Sequence, residues 1–420
     1  MTGVCAPTMV RTVWAQGLST GGVEVVKGSA AGASLVVFVC FLIAAIEGYD
    51  IQAFGVAAPK MAPELGLDPS QLGWGGSAAM IGLVIGAFAG GWLADRFGRK
   101  PVLVGSVALF GVFSIVTATA GSYEALLWAR LATGLGFGGA MPNLIAVAVE
   151  IARPERRAAT VAAMFCGMPV GGATAALVAR LAGDGLDWRM IFLAGGLAPL
   201  LLIPVILKFL PETRPAPDPA ADRNLARALF TEGRAAPTVL VWLAFMLTLV
   251  VLYLALNWLP TLVIDKGLPA SEGFAAAMAF NAAGVIGSLA MGAVTDRFGW
   301  RWPLAASYLA LAAAMAGLAW ADSPASILSL SAAAGFLVLG AQFSLYAVAP
   351  MLYPAHLRAA GAGAAVGVGR LGSIFGPLIA GELRGAGASP GDVFMSMAPV
   401  GLGAALILLL LARAAKRRAD

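Results

Sequence analysis

Asp95-Arg96-Phe97-Gly98-Arg99-Lys100 stands between two long apolar runs, and a near copy, Asp296-Arg297-Phe298-Gly299-Trp300-Arg301, stands between two more. The second copy follows the first by 201 residues in a chain of 420, roughly half its length. A short charged turn between apolar stretches, repeated near the half-way point, predicts a duplicated bundle of membrane-crossing helices.

Composition agrees. The chain is 60% hydrophobic and 12% charged, with a mean hydropathy of +0.87, too little polar surface to cover a water-soluble core of this length. Apolar runs predict twelve spans, at 33–58, 73–94, 101–120, 124–149, 158–182, 188–210, 238–263, 273–294, 302–320, 325–352, 358–383 and 391–412. The net charge of +5 is explained by topology rather than by nucleic acid. With both ends on the cytoplasmic side, only Lys60, Arg180, Arg189, Lys266 and Arg384 fall in outer segments, and Arg130 and Arg370 fall inside spans. All other lysines and arginines gather in the inner segments, as the positive-inside rule requires.

The expected fold is an all-α membrane protein of twelve transmembrane helices in two pseudo-symmetric six-helix bundles. Its parts are a cytoplasmic tail over 1–32, a bundle over 33–210, a proline-rich linker over 211–237, a second bundle over 238–412 and a tail over 413–420. Residues 1–30 lack the apolar core and cleavage site of a signal peptide. Cys5, Cys40 and Cys166 show no disulfide or metal spacing. The halves align beyond the charged turns, since Cys166-Gly167-Met168-Pro169 precedes Val368-Gly369-Arg370-Leu371 by 202 residues. Gly134-Leu135-Gly136-Phe137-Gly138-Gly139 on span 4 allows close helix approach. Parallel halves of this kind hold a substrate between them in secondary transporters.

The stretch Gly91-Trp92-Leu93-Ala94-Asp95-Arg96-Phe97-Gly98-Arg99-Lys100 resembles the signature loop of the major facilitator superfamily. Glu47-Gly48-Tyr49-Asp50 resembles the acidic pair of the aromatic acid:proton symporters, with Glu47 where Asp is usual. Arg130-Leu131-Ala132-Thr133-Gly134, Met141-Pro142-Asn143-Leu144, Asn257-Trp258-Leu259-Pro260 and Val368-Gly369-Arg370-Leu371-Gly372 resemble the branch of bacterial 3-(3-hydroxyphenyl)propionate transporters. The resemblance covers residues 33–412. It implies the major facilitator fold in a bacterial cytoplasmic (inner) membrane. It also implies proton-coupled uptake of an aromatic carboxylate, by a protein that works as a monomer and without a cofactor.

Charges inside spans are costly and need a partner, a cavity or a task. Glu47 and Asp50, three residues apart, share a helical face. Two close carboxylates in a low-dielectric site do not both ionise cheaply, so one should hold a proton, which makes the pair the candidate proton-coupling site. The bland alternative is a permanent structural pairing with arginine. Arg130 lies about 9 Å from the outer end of span 4 and Arg370 about 18 Å from the inner end of span 11. One arginine should neutralise a carboxylate and the other receive the substrate's carboxylate. Arg370 is expected as the anion ligand and Arg130 as the ion-pair partner, with direct substrate contact left open to it.

An aromatic acid further requires ring contacts, for which Tyr49, Phe54, Trp258 and Tyr346 are candidates, and hydroxyl partners, for which Asn143, Asn257, Asn281 and Gln342 are candidates. Any single one of these is more often interhelical packing or hydrogen bonding than ligand. In the charged turns, Asp95, Arg96, Gly98, Arg99, Asp296 and Arg297 form a candidate gating set, a latch across the cytoplasmic side, and they also set topology. The run Glu150, Arg153-Pro154-Glu155-Arg156-Arg157 reads the same way. His356, the single histidine, is expected to be a solvated loop residue.

Uptake is favoured electrically when a proton accompanies the anion, since an uncompensated negative charge entering a negative interior works against about 2.3 kcal/mol per 100 mV. A proton-driven exporter of organic acids or drugs, or a symporter of a hydroxybenzoate-type acid, shares the same charges. An intramembrane enzyme is excluded, because one loop histidine cannot supply a His-Glu-x-x-His zinc site or a buried dyad.

Overall fold

The computed structural model describes residues 30–153, 157–185, 187–212, 229–354 and 357–417. Among these residues there are twelve helices of membrane-crossing length and no strand. They are span 1 (Gly32–Leu65), span 2 (Pro69–Phe97), span 3 (Arg99–Ala118), span 4 (Tyr123–Ile151), span 5 (Thr160–Ala182) and span 6 (Trp188–Phe209). The second set is span 7 (Ala235–Asp265), span 8 (Ala270–Phe298), span 9 (Arg301–Trp320), span 10 (Pro324–Met351), span 11 (Ala360–Gly385) and span 12 (Pro390–Ala415). The protein is a multi-pass membrane protein, and large apolar side chains such as Phe88, Trp128, Leu201 and Trp320 remain exposed on its outside, as a lipid-facing surface requires.

Local chemistry explains the joints. Spans 2 and 3 are separated by Gly98 alone, at φ +94°, and Gly299 follows span 8 at φ +74°. These left-handed backbone angles suit glycine, so each charged turn reverses the chain without a long loop. Span 5 is broken at Cys166, between Arg157–Phe165 and Gly167–Ala182. Pro169 has no N–H to offer the Phe165 carbonyl, which removes one rung of the helix there.

The sequence repeat is also a packing repeat. Span 1 packs on spans 5 and 6, span 2 on span 4, and span 3 on spans 4 and 6. Each contact recurs six spans later: span 7 on spans 11 and 12, span 8 on span 10, and span 9 on spans 10 and 12. The register is kept to the residue. A Cβ at Gly86 would strike the Leu135 carbonyl and one at Gly134 the Ala79 carbonyl. In the second half, Gly287 sits against the Phe336 carbonyl and Gly335 against the Phe280 carbonyl, the same two pairs displaced by 201 positions. Small residues bring the backbones together where a larger side chain has no room.

The halves touch through span 1 with span 7, span 2 with span 11, and span 5 with span 8. The last two contacts are counterparts under the repeat. At the end opposite the charged turns, Gly73 meets Gly381, Ser70 Oγ donates to Glu382 Oε1 at 2.5 Å, and Ser77 Oγ donates to the Ile374 carbonyl at 2.8 Å. The halves are clasped at this far end.

Candidate functional site: a cavity between the halves

A cavity lies on the seam. Span 1 contributes Gly48 and Ile51, span 5 Phe165 and Met168, span 7 Leu249, Leu252, Tyr253 and Leu256, span 8 Asn281, span 10 Leu339, Gln342, Phe343 and Tyr346, and span 11 Arg370. The walls are apolar and aromatic with a few polar groups, the composition of a small-molecule site.

Arg370 is the one cation in this wall, and its Nη1 donates to the Tyr253 hydroxyl at 2.8 Å. Its other N–H groups have no protein partner among the described residues, so half of a planar fork is open to an anion. Glu47 on span 1 is fully buried and lies within electrostatic range of Arg370 and Tyr253. Among the described residues, neither of its carboxyl oxygens accepts a hydrogen bond. Tyr346 stacks on Phe165 with ring centroids 5.6 Å apart, which places a flat aromatic face beside the arginine.

Asp50 has a different setting. Its Oδ1 accepts from Arg130 Nη1 at 2.6 Å and its Oδ2 accepts from Ser114, all within the first half. The Arg130 guanidinium lies over Phe54 and Phe192, at 5.4 and 5.6 Å from the ring centroids. Three positions turn a helix by about 60° less than a full circle, enough to aim Asp50 into its own bundle and Glu47 at the seam. The two carboxyls therefore do not form a closed pair, although each remains within the other's electrostatic range.

Of the sequence candidates for substrate contact, the structure brings Arg370, Gln342 and Tyr346 to the cavity, together with Asn281. It places six others elsewhere, among them Phe54, whose ring lies against the Arg130 guanidinium. Arg130 is committed to Asp50. Tyr49 packs its ring against Gly195 of span 6, with its hydroxyl buried and unpartnered. Asn143 Nδ2 donates to the Gly139 carbonyl at 2.8 Å and Asn257 Nδ2 to the Tyr253 carbonyl at 2.8 Å, the back-bonding that buried amides adopt within helices. Asn257 Oδ1 also lies over Gly76 of span 2, and Trp258 Nε1 donates to the Pro377 carbonyl of span 11 at 3.1 Å. The last two residues therefore serve the contacts around the far end of the seam.

Gln52 was not among the sequence candidates. Its Nε2 donates to the Leu256 carbonyl at 3.0 Å, and its Oε1 accepts from Asn281 Nδ2 at 2.8 Å, which links span 1 to spans 7 and 8. The available signal was an amide in an apolar span one position past the acidic motif's next-door Ile51.

In the charged turns, Asp95, Arg96, Asp296 and Arg297 are exposed. Arg99 pairs with Glu150 of span 4, Lys100 Nζ donates to the Leu207 carbonyl at 2.6 Å, and Gly98 lies beneath the Glu212 carboxylate. These contacts tie the first turn to its own half. Among the described residues no ion pair joins one turn to the other, so a latch across the two halves is not formed in this conformation. Glu155, Arg156 and His356 lie outside the described residues.

A duplicated twelve-helix membrane bundle with a charged turn in each half and a cavity on the seam defines a secondary transporter. Residues 40–377 match the model of the Major Facilitator Superfamily, and the chain belongs to that family, a family of transporters rather than enzymes. It is 41% identical over 380 residues to the 3-(3-hydroxy-phenyl)propionate transporter of Escherichia coli (strain K12), covering 90% of this chain and 93% of that protein. It is 33% identical to the 4-hydroxybenzoate transporter PcaK of Pseudomonas aeruginosa, covering 89% of this chain and 91% of that one. Among solved structures, a D-xylose-proton symporter matches with a TM-score of 0.73 at 18% identity, over 89% of this chain and 97% of that chain, a likeness of fold.

Proposed function

We propose that the protein carries an aromatic carboxylate of the 3-(3-hydroxyphenyl)propionate type into the cell together with a proton. It would act as a monomer in a bacterial inner membrane with both ends cytoplasmic. The observation that carries this reading is the open side of the Arg370 fork in a cavity otherwise lined by leucines and aromatic rings. A carboxylate pairs with the fork, and its ring lies against Tyr346 and the apolar wall. The two related transporters named above are both described as carriers of hydroxylated aromatic acids, which supports the substrate class.

Coupling follows from competition for one arginine. Without substrate, Arg370 is the cation that acts electrostatically on the buried Glu47 carboxyl. An incoming carboxylate that takes Arg370 withdraws this charge, and a proton is the remaining means of neutralising Glu47. Anion and proton then occupy the seam together, so the halves rearrange around a cavity without net added charge. Release of the acid on the other side returns Arg370 to Glu47 and expels the proton. Asp50, held by Arg130 and Ser114, keeps the first bundle rigid and tunes Glu47 through its charge. When the clasp moves from the far end to the charged-turn end, the exposed Asp95, Arg96, Asp296 and Arg297 would close it.

The test is uptake into proteoliposomes of labelled 3-(3-hydroxyphenyl)propionate and 4-hydroxybenzoate, with an inward pH gradient and with an uncoupler. Accumulation of the former that collapses with the uncoupler is expected. Uptake of neither acid, or accumulation indifferent to the gradient, removes the reading.

A further inference from the structure

Five amides are buried in the spans: Gln52, Asn143, Asn257, Asn281 and Gln342. Four of them make at least one hydrogen bond, to a helix carbonyl or to each other. Among the described residues Gln342 finds no partner: its Nε2 and its Oε1 are both buried without a hydrogen bond, and the residue lines the cavity. A buried amide in this state costs free energy that a hydrogen-bonding partner restores, and such groups in native structures call for an explanation.

The chemistry of the missing partner is restricted. A second carboxylate could accept from Nε2 but has no proton to offer Oε1, and would leave it stranded. An ammonium could only donate, and would face Arg370 in the same wall. A phenolic hydroxyl both donates and accepts, so it pairs with whichever end of the amide it meets. Arg370 and Gln342 stand on neighbouring helices around one cavity, and so divide an acid between them: carboxylate at the first, ring substituent at the second.

We infer that Gln342 is the specificity-determining residue, which requires a hydroxyl on the ring and rejects acids that lack one. This rests on the proposed transport of an aromatic carboxylate. A site built to hydrogen-bond a substrate hydroxyl rejects the analogue without it far more strongly than an apolar pocket rejects an added hydroxyl, because the amide would be stranded again.

The test compares initial uptake of 3-(3-hydroxyphenyl)propionate with that of 3-phenylpropionate, as a ratio of kcat/KM, in the wild type and in Gln342→Leu and Gln342→Met. A ratio cancels differences in expression, and both variants replace an unpaired amide with an apolar chain of similar size, so the fold is expected to hold. The wild type should favour the hydroxylated acid by about 100-fold or more, and each variant should bring the ratio to within about threefold of one by gaining activity on 3-phenylpropionate. An unchanged ratio in variants that transport overturns the assignment and leaves the transport reading intact. A wild type that moves neither acid overturns the transport reading itself. Loss of all transport in both variants, with monodisperse protein, also overturns it, since that marks a structural role.

Discussion

Asn281 of the second half donates its Nδ2 to Gln52 Oε1 of the first at 2.8 Å, and Gln52 passes the link on to the Leu256 carbonyl at 3.0 Å. Asn281 is at once a wall of the cavity and a member of the seam. The hydrogen-bonded bridge therefore sits where an occupant of the cavity and the closure of the far end meet.

Gln52→Met keeps the volume of the side chain and deletes both hydrogen bonds. A net loss of about 1.4 kcal/mol, near the sum for two ordinary buried bonds, shifts the balance toward an open far end by about tenfold. Spin labels at Gly121→Cys and Ala386→Cys, one on each half at that end, would report it as a growth of the longer distance population. An unchanged distance distribution would show that the bridge does not hold the clasp.

Of the acidic pair, Glu47 accepts no hydrogen bond among the described residues, and it is the one assigned to the proton. Glu47→Gln should leave exchange of labelled for unlabelled acid in place and abolish accumulation driven by a pH gradient. External pH should then cease to affect the exchange rate. Gradient-driven accumulation at the wild-type level in this variant would move the coupling elsewhere.

Asp50 and Arg130 form a buried ion pair inside one bundle, and removing one partner leaves the other charge stranded. Asp50→Asn or Arg130→Gln alone should cost about 3–5 kcal/mol. The double variant should recover much of that. Thermal unfolding in detergent would measure the three midpoints, and additive losses in the double variant would contradict a direct pairing.

Arg370→Lys keeps the charge and loses the planar fork. A rise of about 10- to 100-fold in apparent KM for the acid is expected, with the unfolding midpoint little altered. Uptake kinetics at fixed pH decide it, and an unchanged KM takes Arg370 out of the site.

Gly335→Ala places a methyl group against the Phe280 carbonyl, as Gly134→Ala does against that of Ala79. Backbone cannot give way as a side chain does, so each should destabilise by about 1–3 kcal/mol, and by similar amounts, since the two crossings are copies. Unequal losses in thermal midpoint would show that the halves are less alike than their shared register implies.

Much of this molecule was legible in one dimension. Twelve apolar runs of bilayer length, two charged turns around Gly98 and Gly299, and a spacing of 201 residues determined the span count, the duplication and the superfamily likeness. Each of those features is local or periodic, and the bilayer leaves helices as the one structure that satisfies the backbone of such runs. The costly charges Glu47 and Arg370 were legible for the same reason, because lipid makes any intramembrane charge conspicuous.

Which neighbour each side chain meets was settled by the tertiary structure alone. Asn257 and Trp258 turned to the seam rather than the cavity, Asp50 turned into its own bundle, and Gln52 emerged as a bridge. Helical periodicity assigns a residue to a face, but the faces that oppose it come from spans as far as 312 residues away in the sequence, as for Ser70 and Glu382. Their approach is set by backbone contacts such as Gly73 with Gly381 and Gly55 with the Leu256 carbonyl, which no spacing within a single span encodes.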